Sequence, residues 1–184
     1  GISFLVGFII VFRTGQSYSR FMDALNSTHQ MMGEWLDCAC SIVSFCKAAD
    51  QSEEEVNAFL HTVVRLFSAL SASALEELTG DQGGLKSIFA AGGNKRTVVL
   101  ETIDRGGLDP DTISAMEDSK VNTVILVYQW IQQLVLQSRS SVLQTIPPPI
   151  LARAFNELGA GMSKFHDTLI LSKIPFPFPY AQTT

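Results

Sequence analysis

The feature that most constrains the fold is the apolar opening of the chain, residues 1–12, which read GISFLVGFIIVF. Phenylalanine recurs in it at every fourth position, as Phe4, Phe8 and Phe12. On a helix with about 3.6 residues per turn, each such step drifts by only about 40°, so the three rings form one stripe. Arg13 and Arg20 then end the apolar run. This order is typical of a helix that leaves an apolar environment and enters water, although a core helix of a soluble bundle carries a similar stripe.

The first residue is Gly rather than Met, and no polar cap precedes the apolar run, so we expect the sequence to be a segment of a longer chain. Twelve helical residues span about 18 Å, whereas the hydrocarbon core of a bilayer is about 30 Å thick and needs about 20 residues. The run is therefore too short for a complete transmembrane helix, and it matches the end of a truncated one. It is not a signal peptide, because it lacks a basic leader and a small-residue cleavage site.

Two motifs carry a family resemblance. Residues 12–24, FRTGQSYSRFMDA, resemble the FRxxxSYxRWxEA signature of the bestrophin family of anion channels, its bacterial and plastid branches included. Residues 173–181, KIPFPFPYA, are similar to the segment I-x-x-T-P-x-P-F-P-Y that leads to the family's third membrane helix. The sequence departs from the signature at Phe21 and Met22, where tryptophan is frequent, and at Asp23, which is usually glutamate. The signature positions are Arg13, Ser17, Tyr18, Arg20, Asp23, Pro175, Pro177, Pro179 and Tyr180.

The resemblance implies an all-α channel subunit, with a long membrane-to-cytosol helix and a cytosolic helical bundle. Residues 1–23 would be the C-terminal part of the pore-lining second membrane helix, residues 24–173 the cytosolic domain, and residues 174–184 an extended lead-in to the third membrane helix. The implied partners are small monovalent anions (chloride, then nitrate or bicarbonate), membrane lipid and four further copies in a homopentamer. The resemblance implies an integral, multi-pass membrane protein. The candidate locations are the thylakoid membrane of plastids and the plasma membrane. No cofactor is visible in the sequence. In calcium-gated members of the family the acidic calcium clasp follows the fourth membrane helix, so a calcium site, if present, is expected outside this segment.

The resemblance also implies two constrictions. Counted back from Arg20, the three bulky residues of the family's hydrophobic neck fall on Phe4, Phe8 and Phe12, the stripe that the spacing predicts independently. A narrow ring of phenyl groups is too apolar to hold water and can gate by dewetting. The positive edge of each ring can face an anion without any formal charge.

The second constriction of the family is an aliphatic residue between a proline and an N-E-L-like stretch, which falls on Ile150. We expect the free amides and the positive dipole end of the helix that Ile150 opens to face a passing anion. The alternative is that Ile150 is a hydrophobic staple at the start of this helix.

Composition and charge narrow the function classes. The 184 residues are 46% hydrophobic and 17% charged, with a mean hydropathy of +0.21, and suffice for one domain with a sizeable core. The net charge of −5 and the lack of basic runs argue against nucleic-acid binding. This charge provides no long-range attraction for an anion, so selectivity must come from local groups.

The side chains that most often carry chemistry form no constellation. His29, His61 and His166 are far apart in sequence, so we expect no catalytic residues and no enzyme. Cys38, Cys40 and Cys46 are expected to be reduced, buried thiols. Cys38 and Cys40 would point about 200° apart on a helix, so we expect no metal site. The competing function is a soluble all-α interaction module whose phenylalanine stripe docks a partner helix.

Hydrophobic periodicity predicts helices joined by short loops. The first runs from residue 2 to about 49 and the second, capped by Ser52, from there to about 78. Residues 80–97 are expected to be a loop, followed by a short helix near 98–103 and a turn at 109–111. A third long helix is expected over 119–145, where its glutamines make it too polar for lipid. Three prolines at 147–149 then start a helix over 150–171, in which Gly159 and Gly161 indicate close packing.

Overall fold

A computed structural model describes residues 2–47, 51–79 and 123–173. These residues form four α-helices and no strand, which confirms the predicted all-α fold. The helices are α1 (Ile2–Cys46), α2 (Glu53–Thr79), α3 (Thr123–Gln137) and α4 (Pro148–Lys173), with a 3-10 turn at Ser138–Ser140. The expectations for residues 80–97, 98–103, 109–111 and 174–184 lie outside the described residues.

Helix α1 is continuous over 45 residues, close to the predicted extent. It contains no proline, and a Cβ atom added at Gly7, Gly15 or Gly33 would meet nothing within 4 Å. These glycines therefore neither break the helix nor mark a close packing contact. Among residues 4–46 the first buried side chain is Met31, so α1 has an outer part, residues 4–30, without buried side chains and an inner part that packs in the bundle.

Helices α1 and α4 pack antiparallel and form the main seam of the bundle. The Arg20 side chain bonds to the Leu171 carbonyl, whereas Cys38, further along α1, bonds to the carbonyl of Ala154, nearer the start of α4. Each large apolar side chain that is buried in the bundle stabilises the fold by about 1.5–3 kcal/mol. The largest fully buried side chains are Trp35, Phe165, Met31, Ile42, Leu70, Ile131, Leu143 and Leu158.

Helix α2 begins as the sequence predicts. The Ser52 hydroxyl accepts a hydrogen bond from the Glu55 amide at 3.4 Å, and the Ser52 carbonyl accepts one from the Val56 amide at 3.1 Å. This is the N-cap half of the predicted capping box. Apolar side chains that recur along α2 at steps of three and four, Phe59, Val63, Phe67 and Leu70, are buried, whereas Val64 is 43% exposed.

Helix α3 ends at Gln137 rather than near residue 145, so the predicted end was wrong. The Ser140 hydroxyl donates to the Gln137 carbonyl, and the Ser141 hydroxyl donates to the Ser138 carbonyl. Serine side chains that bond to nearby backbone compete with helix propagation. The resulting turns bury Val142 and Leu143 in the core.

Within the described ranges, the segment Glu53–Leu78 of α2 is the one helix long and apolar enough to cross a membrane by length and composition. Its mean hydropathy is 1.4, and 44% of the apolar window is buried in the bundle. The outward side of α2 carries Asn57, His61 and Glu76, which are exposed. Because lipid-facing surfaces are apolar, we interpret α2 as a core helix of the bundle.

Candidate functional site

The three phenylalanines of the sequence stripe are exposed on the outer part of α1. The exposed fraction is 80% for Phe4, 62% for Phe8 and 49% for Phe12. The Phe8 and Phe12 rings are stacked, with centroids 6.3 Å apart and planes inclined by 15°. Four-residue spacing on a continuous helix therefore produces the predicted aromatic stripe.

The stripe faces away from the bundle. Phe8 and Trp35 are separated by about 27 positions, or roughly 7.5 turns of 3.6 residues, which places them on opposite sides of α1. Trp35 is 1% exposed and belongs to the side of α1 that packs in the core. Phe8 therefore points away from its own subunit, and its surface is available to something outside the bundle.

The whole segment around the stripe is apolar and uncovered. Every residue from 4 to 12 is exposed, including Leu5, Ile10 and Val11 on the other sides of the helix. The Thr14 hydroxyl, which follows directly, donates to the Ile10 carbonyl at 2.9 Å. A contiguous apolar surface of this size marks a membrane or protein contact. This apolar surface extends around the whole circumference of the helix, which indicates that its different sides face different environments.

The first signature motif divides between the two sides of α1. Ser17, Tyr18 and Asp23 are exposed, whereas Arg13 and Arg20 are half-buried. The Arg20 guanidinium Nη2 donates to the Leu171 carbonyl of α4 at 3.1 Å. The second motif, with Pro175, Pro177, Pro179 and Tyr180, lies outside the described residues.

Ile150 lies in the first turn of α4 and is 48% exposed. The expected free amides are not present in this turn. The Ile150 and Leu151 amides donate to the Pro147 carbonyl at 3.0 and 3.2 Å, and Pro148 and Pro149 have no amide hydrogen. The prediction that these amides face an anion was wrong, because two of the first three helical positions are proline and the amide of the third, Ile150, is already bonded. Ile150 thus presents an aliphatic surface and no backbone donor.

A charged pair that was not among the predicted site residues follows Ile150 on α4. Arg153 Nε is 2.9 Å from Glu157 Oε1, and the Ser41 hydroxyl of α1 donates to Glu157 Oε2 at 3.2 Å. The Arg153 side chain is 79% exposed, whereas the Glu157 side chain is 15% exposed. The spacing of four residues was the available signal. The contact with Ser41 is tertiary and has no local signature.

The phenylalanine stripe and Ile150 lie at opposite ends of the α1–α4 seam. Ala154 is level with Cys38, so Ile150, one turn earlier on the antiparallel α4, is level with about Ile42. From Phe12 to Ile42 the helix rises by roughly 45 Å at about 1.5 Å per residue. The structure therefore does not bring these two candidate sites together, and one rigid helix joins them.

Two of the three cysteines are buried thiols, as predicted. The Cys38 thiol donates to the Ala154 carbonyl at 3.1 Å, and burial, with a smaller contribution from the Glu157 carboxylate, raises its pKa to about 12. Burial raises the pKa of Cys46 to about 11. Cys40 is exposed, which corrects the expectation that all three are buried. Residues 2–47, 51–79 and 123–173 contain no group of three or more His, Cys, Asp and Glu side chains placed to hold a metal ion.

Comparison with known protein families gives a match that covers the full sequence. The sequence model of the bacterial and fungal bestrophin proteins matches residues 1–184. No curated protein and no solved structure matches the chain significantly. The match includes the residues between the two motifs, where the sequence resembles the family only in its helical character.

Proposed function

The chain belongs to the bestrophin family of membrane anion channels, and from that premise we propose that it lines the pore of a homopentamer that passes small monovalent anions. In this proposal residues 1–23 are the cytosolic end of the second membrane helix of a multi-pass protein. Residues 24–173 are the cytosolic domain, and residues 174–184 lead to the next membrane helix. Chloride is the first candidate anion, followed by nitrate and bicarbonate.

The observation that carries this proposal is the orientation of the phenylalanine stripe. Phe4, Phe8 and Phe12 are exposed on a helix that is rigidly fixed to its bundle further along, and Phe8 points away from that bundle. An apolar segment with this exposure needs both a lipid-facing and a protein-facing environment in a membrane assembly. A central passage lined by the stripes of several copies provides a place for the aromatic side.

Five copies of the stripe would form three stacked aromatic rings. A narrow passage walled by phenyl groups excludes water when it is closed and admits a partly hydrated ion when it is open, so small changes in radius gate the flow. The positive edge of a phenyl ring stabilises an anion and disfavours a cation. This mechanism needs no formal charge in the neck, in agreement with the apolar sequence of residues 4–12.

Ile150 is proposed as the second constriction, on the cytosolic side. Because its helix start has no free amide, its contribution is steric and hydrophobic rather than electrostatic. Arg153, three residues further along α4, is 79% exposed and pairs with Glu157. In this proposal the exposed side of its guanidinium group attracts anions locally, although the net charge is −5.

The family assignment disfavours the two other function classes. Bestrophins are channels and not enzymes, so catalysis is not proposed. The match to a channel family extends along the whole sequence, and a soluble interaction module does not account for it. We therefore propose a pore-lining role for the stripe rather than a docking role.

Planar-bilayer recording of the full-length protein tests the proposal. We expect currents whose reversal potential follows the anion gradient when chloride, nitrate or bicarbonate is placed asymmetrically. Empty bilayers and bilayers with a detergent-extracted mock preparation are the controls. A lack of current, or a reversal potential that follows the cation gradient, would overturn the proposed function.

A mass measurement tests the assembly independently. Native mass spectrometry of the full-length protein in detergent should give five copies per particle. A monomer would contradict a pore made of five stripes, whatever the bilayer recordings show.

A further inference from the structure

The last turn of α4 is held by contacts from two other helices. Arg20 of α1 donates from Nη2 to the Leu171 carbonyl at 3.1 Å. The last four carbonyls of a helix have no partner within the helix, so this bond satisfies a group that would otherwise depend on water. A cation at this position also interacts favourably with the negative end of the helix dipole. Arg20 therefore stabilises the end of α4 in two ways.

Helix α2 contacts the same turn. The Ser172 hydroxyl donates to the Leu78 carbonyl at 3.2 Å, and Lys173 Nζ lies 3.3 Å from Glu77 Oε1. The end of α4 is thus fixed to α1 on one side and to α2 on the other. The segment that follows it, from residue 174, is the one that we propose to lead into the next membrane helix.

Arg20 also has a fixed relation to the neck. It follows Phe12 by about two turns on the same continuous helix, and no proline separates them. A helix without a break transmits a rotation or tilt along its axis, because its hydrogen-bond ladder resists local bending. A displacement of the last turn of α4 therefore reaches α1 at Arg20 and, along the continuous helix, the phenylalanine stripe.

We propose that Arg20 is a positioning residue that couples the end of α4 to the hydrophobic neck and thereby sets the open probability of the channel. The proposal rests on the proposed function, since it concerns the gating of the same pore. Arg20 does not line the neck itself, because it lies on the half-buried side of α1 and bonds to α4. It therefore changes how often the neck is open and not how fast an open neck conducts.

The test compares Arg20→Met with Lys164→Met in single-channel recordings of the full-length protein. A hydrogen bond from a charged group typically changes an equilibrium by about tenfold, so we expect Arg20→Met to shift the open probability by about fivefold or more, with unchanged unitary conductance. Lys164→Met removes an exposed ion pair with Asp167 that lies within α4 and does not hold its last turn. Such a pair contributes little, so this variant should leave the open probability within about twofold of the wild type. Arg20→Lys keeps the charge and one donor and should give a smaller shift in the same direction.

Hydrogen exchange supplies a readout that does not need current. Amides in residues 168–173 should exchange faster in Arg20→Met than in the wild type, because the end of α4 loses its contact with α1. If Arg20→Met does not assemble, Arg20→Lys decides the question through the same two measurements.

The outcomes separate this proposal from the proposed function. If the wild type conducts no anion, the channel function fails and the gating role fails with it. If the wild type conducts, and the Arg20 variants have an open probability within about twofold of it or unchanged exchange at 168–173, the coupling alone is overturned. A joint change of unitary conductance and open probability would also overturn it, because Arg20 would then act on the conducting path.

Discussion

The Phe8 ring and the Trp35 indole lie on opposite sides of one continuous helix, Phe8 exposed outside the bundle and Trp35 buried inside it. One helix thus provides the surface proposed to meet the ion and the surface that holds the subunit together. The two surfaces do not overlap along the chain, since the first buried side chain among residues 4–46 is Met31. Substitutions in the neck should therefore alter permeation and leave folding unchanged, whereas substitutions near Trp35 should do the reverse.

Replacing Phe8 by alanine should widen the neck. If Phe8 lines the neck of a pentamer as proposed, the loss of five phenyl groups makes the passage wider and easier to wet, so we expect the unitary anion conductance or the open probability to rise by about twofold or more. The matched control is Ile10→Ala, because Ile10 has a similar exposed fraction, 58% against 62%, and points to the other side of α1. Single-channel recording of both full-length variants checks the prediction. Equal currents and selectivity in the wild type and Phe8→Ala would count against the neck assignment.

Replacing Gly161 by alanine should destabilise the α1–α4 seam. A Cβ atom at Gly161 would overlap Trp35 Cδ1 and Nε1, whereas one at Gly159 would lie 3.8 Å from Tyr128 Oη, an ordinary contact. Overpacking of a core costs about 1–3 kcal/mol, while alanine gains up to about 1 kcal/mol of helix propensity at an uncrowded glycine. We expect the melting temperature in detergent to fall for Gly161→Ala and to stay equal or rise for Gly159→Ala. Equal effects of the two substitutions would show that Trp35 does not limit the space at Gly161.

The long helices could be predicted from the sequence because their evidence is local. Apolar residues recur with helical spacing over α1, α2 and α4, and Ser52 marks a helix start by residue type alone. The phenylalanine stripe is local in the same sense. These features depend on backbone geometry and on neighbours three or four positions away.

The parts that the sequence did not reveal depend on partners distant in the chain or on competing local bonds. Arg20 and Leu171 are separated by 151 positions, and nothing near either residue indicates the other. The end of α3 was misplaced because apolar periodicity continues past the point where Ser140 and Ser141 bond to the backbone. The amides at the start of α4 were expected to be free because helix starts usually have unpaired donors. Pro148 and Pro149 have no amide hydrogen, however, and the Ile150 amide bonds to the Pro147 carbonyl.

The buried thiols should make stability fall at high pH. Cys38 has a folded-state pKa of about 12, above its ordinary value of 9.0, so its contribution is complete below pH 9 and is lost as the pH rises toward 12. One thiol changes the free energy of unfolding by at most about 1.4 kcal/mol per pH unit in that range. Cys38→Ala should therefore show a smaller loss of stability between pH 8 and 10.5 than Cys40→Ala, the exposed control. Identical pH profiles for both variants would contradict the burial of Cys38.

The same burial predicts which thiol reacts. At pH 8, a thiol reagent should label Cys40 in the folded protein and should label Cys38 and Cys46 only after unfolding, because the thiolate is the reactive form. Peptide mass spectrometry after brief alkylation checks this. Labelling of Cys38 at the rate of Cys40 would show that the α1–α4 seam opens readily.

Replacing Ile150 by alanine separates its two possible roles. An aliphatic constriction without backbone donors forces an ion to shed water, which disfavours strongly hydrated chloride relative to weakly hydrated nitrate. If Ile150 narrows the cytosolic aperture, Ile150→Ala should lower the nitrate-to-chloride permeability ratio by about twofold with little change in melting temperature. Ile170→Ala is the matched control, because Ile170 is on the other side of α4 and is 55% exposed against 48%. A hydrophobic staple would give the opposite pattern, a lower melting temperature with an unchanged permeability ratio, because its only contacts would be within its own helix start.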